Sequence, residues 1–217
     1  DLHIGKRVNE FSMIEDQKYI LERILDLAEK EMPDGVILAG DIYDKQIPSA
    51  EAVQVFDEFI TKLAERKLPV FVISGNHDSA ERLAFGGRLL KSRGIYLSPV
   101  YDGTVMKIPI ADQYGTVWIH LLPFIRPAAV RRVFEDESDL ITDVQSAVRA
   151  VISHMEIDPN ERNILVAHQF VTGASRCESE DIQVGGLDNI DASVFEAFDY
   201  TALGHIHSPQ NVGKGMV

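Results

Sequence analysis

The sequence predicts a layered α/β domain, and three features lead there: short, wholly apolar runs that each end at a polar cluster, helix-period segments between them, and one hairpin pattern in the middle of the chain. In chain order, apolar residues at Ile20, Leu21, Ile24, Leu25 and Ala28 repeat with the helical period, as do Val53, Phe56, Ile60, Leu63 and Ala64, and both faces are expected to point at a core. The runs Val36–Ala39 and Val70–Ile73, and later 164–167 and Tyr200–Leu203, are too short for helices and read as buried strands. Residues 104–110 and 117–122 flank the turn-prone Asp112, Gln113, Tyr114 and Gly115, which predicts an antiparallel hairpin. A third helical period, Leu140, Val144, Val148 and Val151, precedes the run at 164, and Asp191 is placed to cap a short helix before Tyr200. With no repeat, low-complexity segment or Gly/Ser/Pro-rich linker, no domain boundary is drawn inside 1–217.

Composition narrows the function. A chain of 217 residues that is 45% hydrophobic can bury roughly 70% of its unfolded surface. A net charge of -13 argues against a protein coated in nucleic acid, since phosphate contacts need Lys and Arg, so any such contact must be local. Part of the acidic excess would serve to gather cations. One cysteine, Cys177, excludes an internal disulfide and a cysteine-rich zinc site, which suits a reducing compartment, the cytoplasm by default. No apolar stretch approaches the ~20 residues of a membrane helix, and no signal pattern opens the chain. Asp1 is no initiator methionine and nothing marks an end after Val217, so the chain reads as an interior piece truncated at both ends.

The polar clusters are Asp1-Leu2-His3, Gly40-Asp41 with Asp44, Gly75-Asn76-His77-Asp78, His168, and Gly204-His205-Ile206-His207. Four of the five follow a predicted strand directly, and ligands in α/β sheets bind beyond the carboxyl ends of strands. Asp1 joins them if a strand precedes it. Asp, Asn and His offer oxygen and nitrogen donors without thiolate, the set that hard and borderline divalent metals take. Alternation in Asp1-x-His3 and His205-x-His207 puts both members of each pair on one side of an extended segment. Five of the seven histidines fall in these clusters; the other two, His120 in a strand pattern and His154 at a helix end, read as structural or surface histidines.

Each motif has a plain alternative. Gly40-Asp41 with Asp44 suits a turn, as does Gly75-Asn76-His77-Asp78, and a lone His168 after a strand is more often a satisfied core residue. Two histidines one residue apart seldom serve packing alone, because each brings polar nitrogens that burial must satisfy. The order and the combination carry the metal reading.

The series resembles the calcineurin-like metallophosphoesterases from Asp1 to His207, and the words DLHIGK, SGNHDSAERL, LPFIRPAAVR, VAHQF, VGG and FDYTALGHIHSPQ resemble its SbcD branch of nucleases. The protein Ser/Thr phosphatase branch is disfavoured, because Lys45 and Asp78 stand where it carries arginine and glutamate. The resemblance implies a two-sheet sandwich with mixed sheets and flanking helices, the hairpin belonging to the second sheet. It implies one metal on Asp1, His3, Asp41 and His207 and another on Asp41, Asn76, His168 and His205, with Asp41 bridging. His77 would be the catalytic acid and Asp44 would hydrogen-bond and orient it. Manganese is the expected ion, with magnesium, zinc and iron also suited to the donors. Lys6, Arg7, Arg82, Arg88 and Arg126 are candidate phosphate contacts. The implied activity is exonucleolytic and endonucleolytic DNA cleavage in repair, recombination and replication, by a nuclease homodimer in a heterotetramer with an SbcC-like ATPase. A DNA-capping segment and an SbcC-binding segment would follow Val217. A phosphodiesterase acting on cyclic nucleotides, and a non-catalytic scaffold on the same fold, are the alternatives.

Overall fold

The computed structural model describes residues 1–172, 189–207 and 212, in two compact units, Asp1–Pro99 and Val100–Val217. Cys177, the word VGG and residues 208–210 lie outside the described residues.

In the first unit a two-residue ribbon, β1 (Arg7–Val8) and β2 (Phe11–Ser12), precedes helix α1 (Ile14–Glu31). Then come β3 (Val36–Ala39), α2 (Ala50–Glu65), β4 (Val70–Ile73), the single turns α3 (Ala80–Leu83) and α4 (Gly87–Leu90), and β5 (Ile95–Leu97). The sheet runs β3-β4-β5, all parallel, as strands joined by crossover helices must be. Helix α2 starts where Ser49 accepts a hydrogen bond from the Ala52 N–H, and α1 ends on Met32 in a left-handed conformation. The buried stripe of α1 is Ile14, Leu21, Leu25 and Ala28, and that of α2 is Ala52, Val55, Phe56, Phe59, Ile60 and Leu63. The expected faces need correction. Ile20 is 53% exposed, because it sits about 100° around the helix from Leu21 and falls off the stripe. Val53 is 45% exposed at the edge of its stripe, and Ile24 and Ala64 are only partly buried.

The second unit contains β6 (Met106–Asp112), β7 (Gly115–Leu121), α5 (Pro127–Val133), α6 (Val144–Ser153), β8 (Arg162–Ala167) and β9 (Tyr200–Leu203). Its sheet runs β6-β7-β8-β9, antiparallel in the hairpin and parallel thereafter, so a mixed sheet accompanies the parallel one. The hairpin closes where Asp112 pairs with Gly115, which has a φ of 116°, and the Arg162 guanidinium holds Asp112 through two bonds of 2.8 and 2.6 Å. Asp143 forms a capping box with Ser146, so α6 begins at Val144. Leu140, read as the start of that period, lies in a 3-10 turn and is 74% exposed. Asp191 caps a short helix as expected, of 3-10 type (Ala192–Phe195). His120 is buried and bonds Asn163 Oδ1 at 3.0 Å, while His154 is exposed, stacks on Phe134 and bonds the Ala150 carbonyl at 2.8 Å. Among the described residues, no helix is long and apolar enough to cross a membrane.

Candidate metal centre

In the first unit the site begins with sheet register. Ala39 pairs with Ile73, so Gly40-Asp41 and Ser74-Gly75 leave the sheet at one edge. The N-terminal residues join them by lying along the stretch after β3: Leu2 N–H and His3 N–H donate to the Asp41 carbonyl at 2.8 and 2.9 Å, and Ile4 N–H to Ile42 at 2.9 Å. Gln17 on α1 clamps this segment, its amide donating to the Leu2 and His3 carbonyls at 3.2 and 2.7 Å while its oxygen accepts from Gly5 N–H at 2.9 Å.

The two loops after β3 and β4 touch at Gly75. A Cβ there would lie 2.1 Å from Asp41 Oδ1 and 2.3 Å from its backbone nitrogen, so only glycine permits the approach. Asp41, 1% exposed, accepts from His77 N–H through Oδ1 at 2.9 Å, and its Oδ2 lies 3.6 Å from His3 Nε2. The His3 and His77 rings meet edge to face, 4.8 Å between centroids. One donor atom each from His3, Asp41 and His77 lies within 4.8 Å of the others. That spacing of nitrogen and carboxylate oxygen fits a divalent ion. His3 and Asp41 hold left-handed backbones, φ 45° and 46°, a strain of about 1–3 kcal/mol each that concentrates at functional sites.

His77 Nδ1 lies 3.0 Å from the main-chain carbonyl of Asp44. The partner is thus the backbone of Asp44 and not its carboxylate, which stands 3.7 Å from His3 Nδ1. A carbonyl only accepts, so Nδ1 carries the proton and Nε2 is left for other work. Asp78 is buried, and its carboxylate accepts from Ile42, Tyr43 and Gly75 N–H groups at 3.1, 2.9 and 2.8 Å. Burial pushes its pKa up, the three N–H bonds pull it down, and the Asp41 charge adds to the rise. Asn76 is half-buried on the same loop and Asp1 is exposed.

In the second unit, Ala167 pairs with Leu203 and Gly204 N–H donates to the Ala167 carbonyl at 2.9 Å, so His168 and His205 emerge side by side. Their rings meet edge to face at 5.3 Å, with Phe170 against His205 at 5.9 Å and Phe124 against His168 at 6.3 Å. His205 has a φ of 72°, again left-handed, and His207 follows partly exposed. Of the candidate cations, Arg126 lies over the Phe124 ring at 5.9 Å. Lys6 donates its N–H to the His3 carbonyl at 3.0 Å, Arg7 bonds the Glu10 carbonyl, and Arg82 and Arg88 are exposed on α3 and α4.

The sequence model of the calcineurin-like phosphoesterases matches residues 1–209. The chain belongs to this family. Two curated members are similar over the whole chain, both described as the SbcD component of the SbcCD nuclease. The one from Staphylococcus epidermidis is 34% identical and 58% covered by the match, and the one from Staphylococcus saprophyticus is 34% identical and 57% covered. The chain therefore spans under three fifths of these relatives' length. Within this phosphoesterase unit, sequence reasoning missed Gln17 and the structural part of Asp78, because both act on main-chain groups that no spacing reveals.

Proposed function

We propose that this chain is a metal-dependent DNA nuclease that hydrolyses phosphodiester bonds at a two-metal centre, working beside an SbcC-like ATPase. The observation that carries the reading is the convergence of His3, Asp41 and His77 donors within 4.8 Å in a chain of phosphoesterase family. Asp1, His3, Asp41 and His207 would hold one ion and Asp41, Asn76, His168 and His205 the other, manganese being the best match to the donors. When bound, two such ions supply Lewis acidity at the phosphate and lower the pKa of water.

The chain's own contribution is proton placement. The Asp44 carbonyl fixes Nδ1–H of His77, so a protonated Nε2 is turned away from that contact and is available to the leaving oxygen. The DNA substrate, the ATPase, the homodimer within a heterotetramer and the cytoplasmic setting follow the relatives described as components of an SbcCD nuclease. Arg126, set over Phe124, is the basic residue we assign first to phosphate, ahead of Lys6, Arg7, Arg82 and Arg88.

The test is manganese-dependent hydrolysis of bis-p-nitrophenyl phosphate by the protein and by His77→Ala. The variant should lose roughly 10²- to 10⁴-fold in kcat, the worth of a positioned acid. Equal rates in both would sink the assignment of His77. Duplex DNA ends and cyclic nucleotides are then compared as substrates, and cleavage of cyclic nucleotides alone would replace the nuclease reading with a small-molecule diesterase.

A further inference from the structure

We infer that Asp78 is a positioning residue that locks the loops carrying Asp41 and Asn76-His77 into one metal-ready arrangement. The inference rests on the two-metal reading and adds to it a residue that contacts neither ion nor substrate.

The argument is one of reciprocity. Asp41, on the loop after β3, accepts through Oδ1 from the His77 N–H on the loop after β4. In return Asp78, on the loop after β4, accepts from Ile42 N–H at 3.1 Å and Tyr43 N–H at 2.9 Å on the loop after β3. Its third bond, from Gly75 N–H at 2.8 Å, closes its own loop just before Asn76. Ile42 directly follows Asp41, so the bond to its N–H fixes the left-handed backbone at Asp41 from the next peptide. Gly75 supplies the matching surface, since any Cβ there would strike Asp41. With Oδ1 of Asp41 engaged in this clasp, its Oδ2 is aimed toward His3.

Burial gives the clasp its force. Asp78 is 6% exposed, so water does not replace a lost acceptor there. The three N–H groups need three acceptor sites, and a carboxylate provides them on two oxygens. An asparagine has the same shape but one oxygen, and its NH2 would confront a backbone donor. Groups that orient ligands in this way typically govern metal affinity by about 10- to 100-fold.

The experiment measures Mn2+ binding by titration calorimetry, and apo-protein Tm, for the full-length protein, Asp78→Asn and Val72→Ala. Val72 is fully buried in β4, and its truncation weakens the same sheet without touching the clasp. The expected result is Mn2+ affinity at least tenfold weaker in Asp78→Asn and within about twofold of wild type in Val72→Ala, even where the Tm losses match. Wild-type affinity in Asp78→Asn overturns the inference, and so does a loss in Val72→Ala that tracks its Tm. Should Asp78→Asn not fold, Asp78→Glu keeps the charge and both oxygens but displaces them by one methylene; weakened binding supports the clasp and wild-type binding overturns it. Failure of the wild-type protein itself to bind Mn2+ would instead remove the two-metal reading, and Asp78's part with it.

Discussion

The two units set their histidines by different means. In the first, His3, Asp41 and His77 sit on loops tied by directional bonds between side chains and main-chain groups, through Gln17, Asp78 and the Asp41–His77 contact, with Gly75 allowing the approach. In the second, two parallel strands end side by side, and the rings of His168, His205, Phe170 and Phe124 meet edge to face. Directional clasps fix orientation but fail abruptly when one member changes, whereas ring-edge contacts are each worth only about 0.5–1.5 kcal/mol and degrade gradually. Substitutions in the first rim should therefore be all-or-none and those in the second graded.

The largest effect is expected at Gly75→Ala. The new methyl would lie within bond-length range of Asp41 atoms, so the loops must part at a cost of about 3 kcal/mol, the upper range for overpacking. Urea unfolding should show that loss and calorimetry should show no tight Mn2+ binding; a folded variant with normal binding would break the contrast between the rims. Gln17→Ala comes next. It leaves Gly5 N–H and the Leu2 and His3 carbonyls without their partner, a loss of about 2 kcal/mol if only part is regained from water. Metal affinity should fall with it, because His3 rides on the released segment. Phe124→Ala should cost only about 1 kcal/mol and weaken Mn2+ binding a few-fold, since one ring edge against His168 is lost. A collapse as complete as that of Gly75→Ala would show the second rim to be as brittle as the first.

This contrast also explains what could be read from the sequence. Strands β3, β4 and β9 were legible to the residue, because four apolar side chains in a row have no other use and a polar residue or glycine ends each. Strand β8 begins two residues before its apolar run, since Arg162 and Asn163 pair with Val117 and Trp118 while their side chains serve Asp112 and His120. Strand β5, three residues long, and helix α5, opened by Pro127, carried too little period to stand out. The metal-donor candidates were legible because their chemistry is unusual at strand ends. The clasp was not: Asp78 looked like an ordinary turn former, and its partners are N–H groups that every residue but proline possesses.

The smallest effect separates the rim histidines from the one buried in the sheet. Asn163 donates its amide nitrogen to the Asp158 and Glu161 carbonyls, so its oxygen faces His120 Nε2, which must carry the proton. Burial lowers the His120 pKa, Lys107 adds to the fall, and the Asn163 bond opposes it. The folded state thus binds fewer protons than the unfolded chain, and stability rises with pH. The contribution of His120 is fully present above its unfolded pKa of about 6.5 and is lost as pH falls below it. Urea unfolding of the metal-free protein at pH 7.5, 6.5 and 5.5 should show stability declining on acidification, with a shallower decline in His120→Gln, which keeps an N–H donor for Asn163 but has nothing to titrate. An unchanged slope in that variant would move the acid sensitivity to the rim histidines, where carboxylate neighbours such as Asp41 and Asp44 favour the charged form and the sign is opposite.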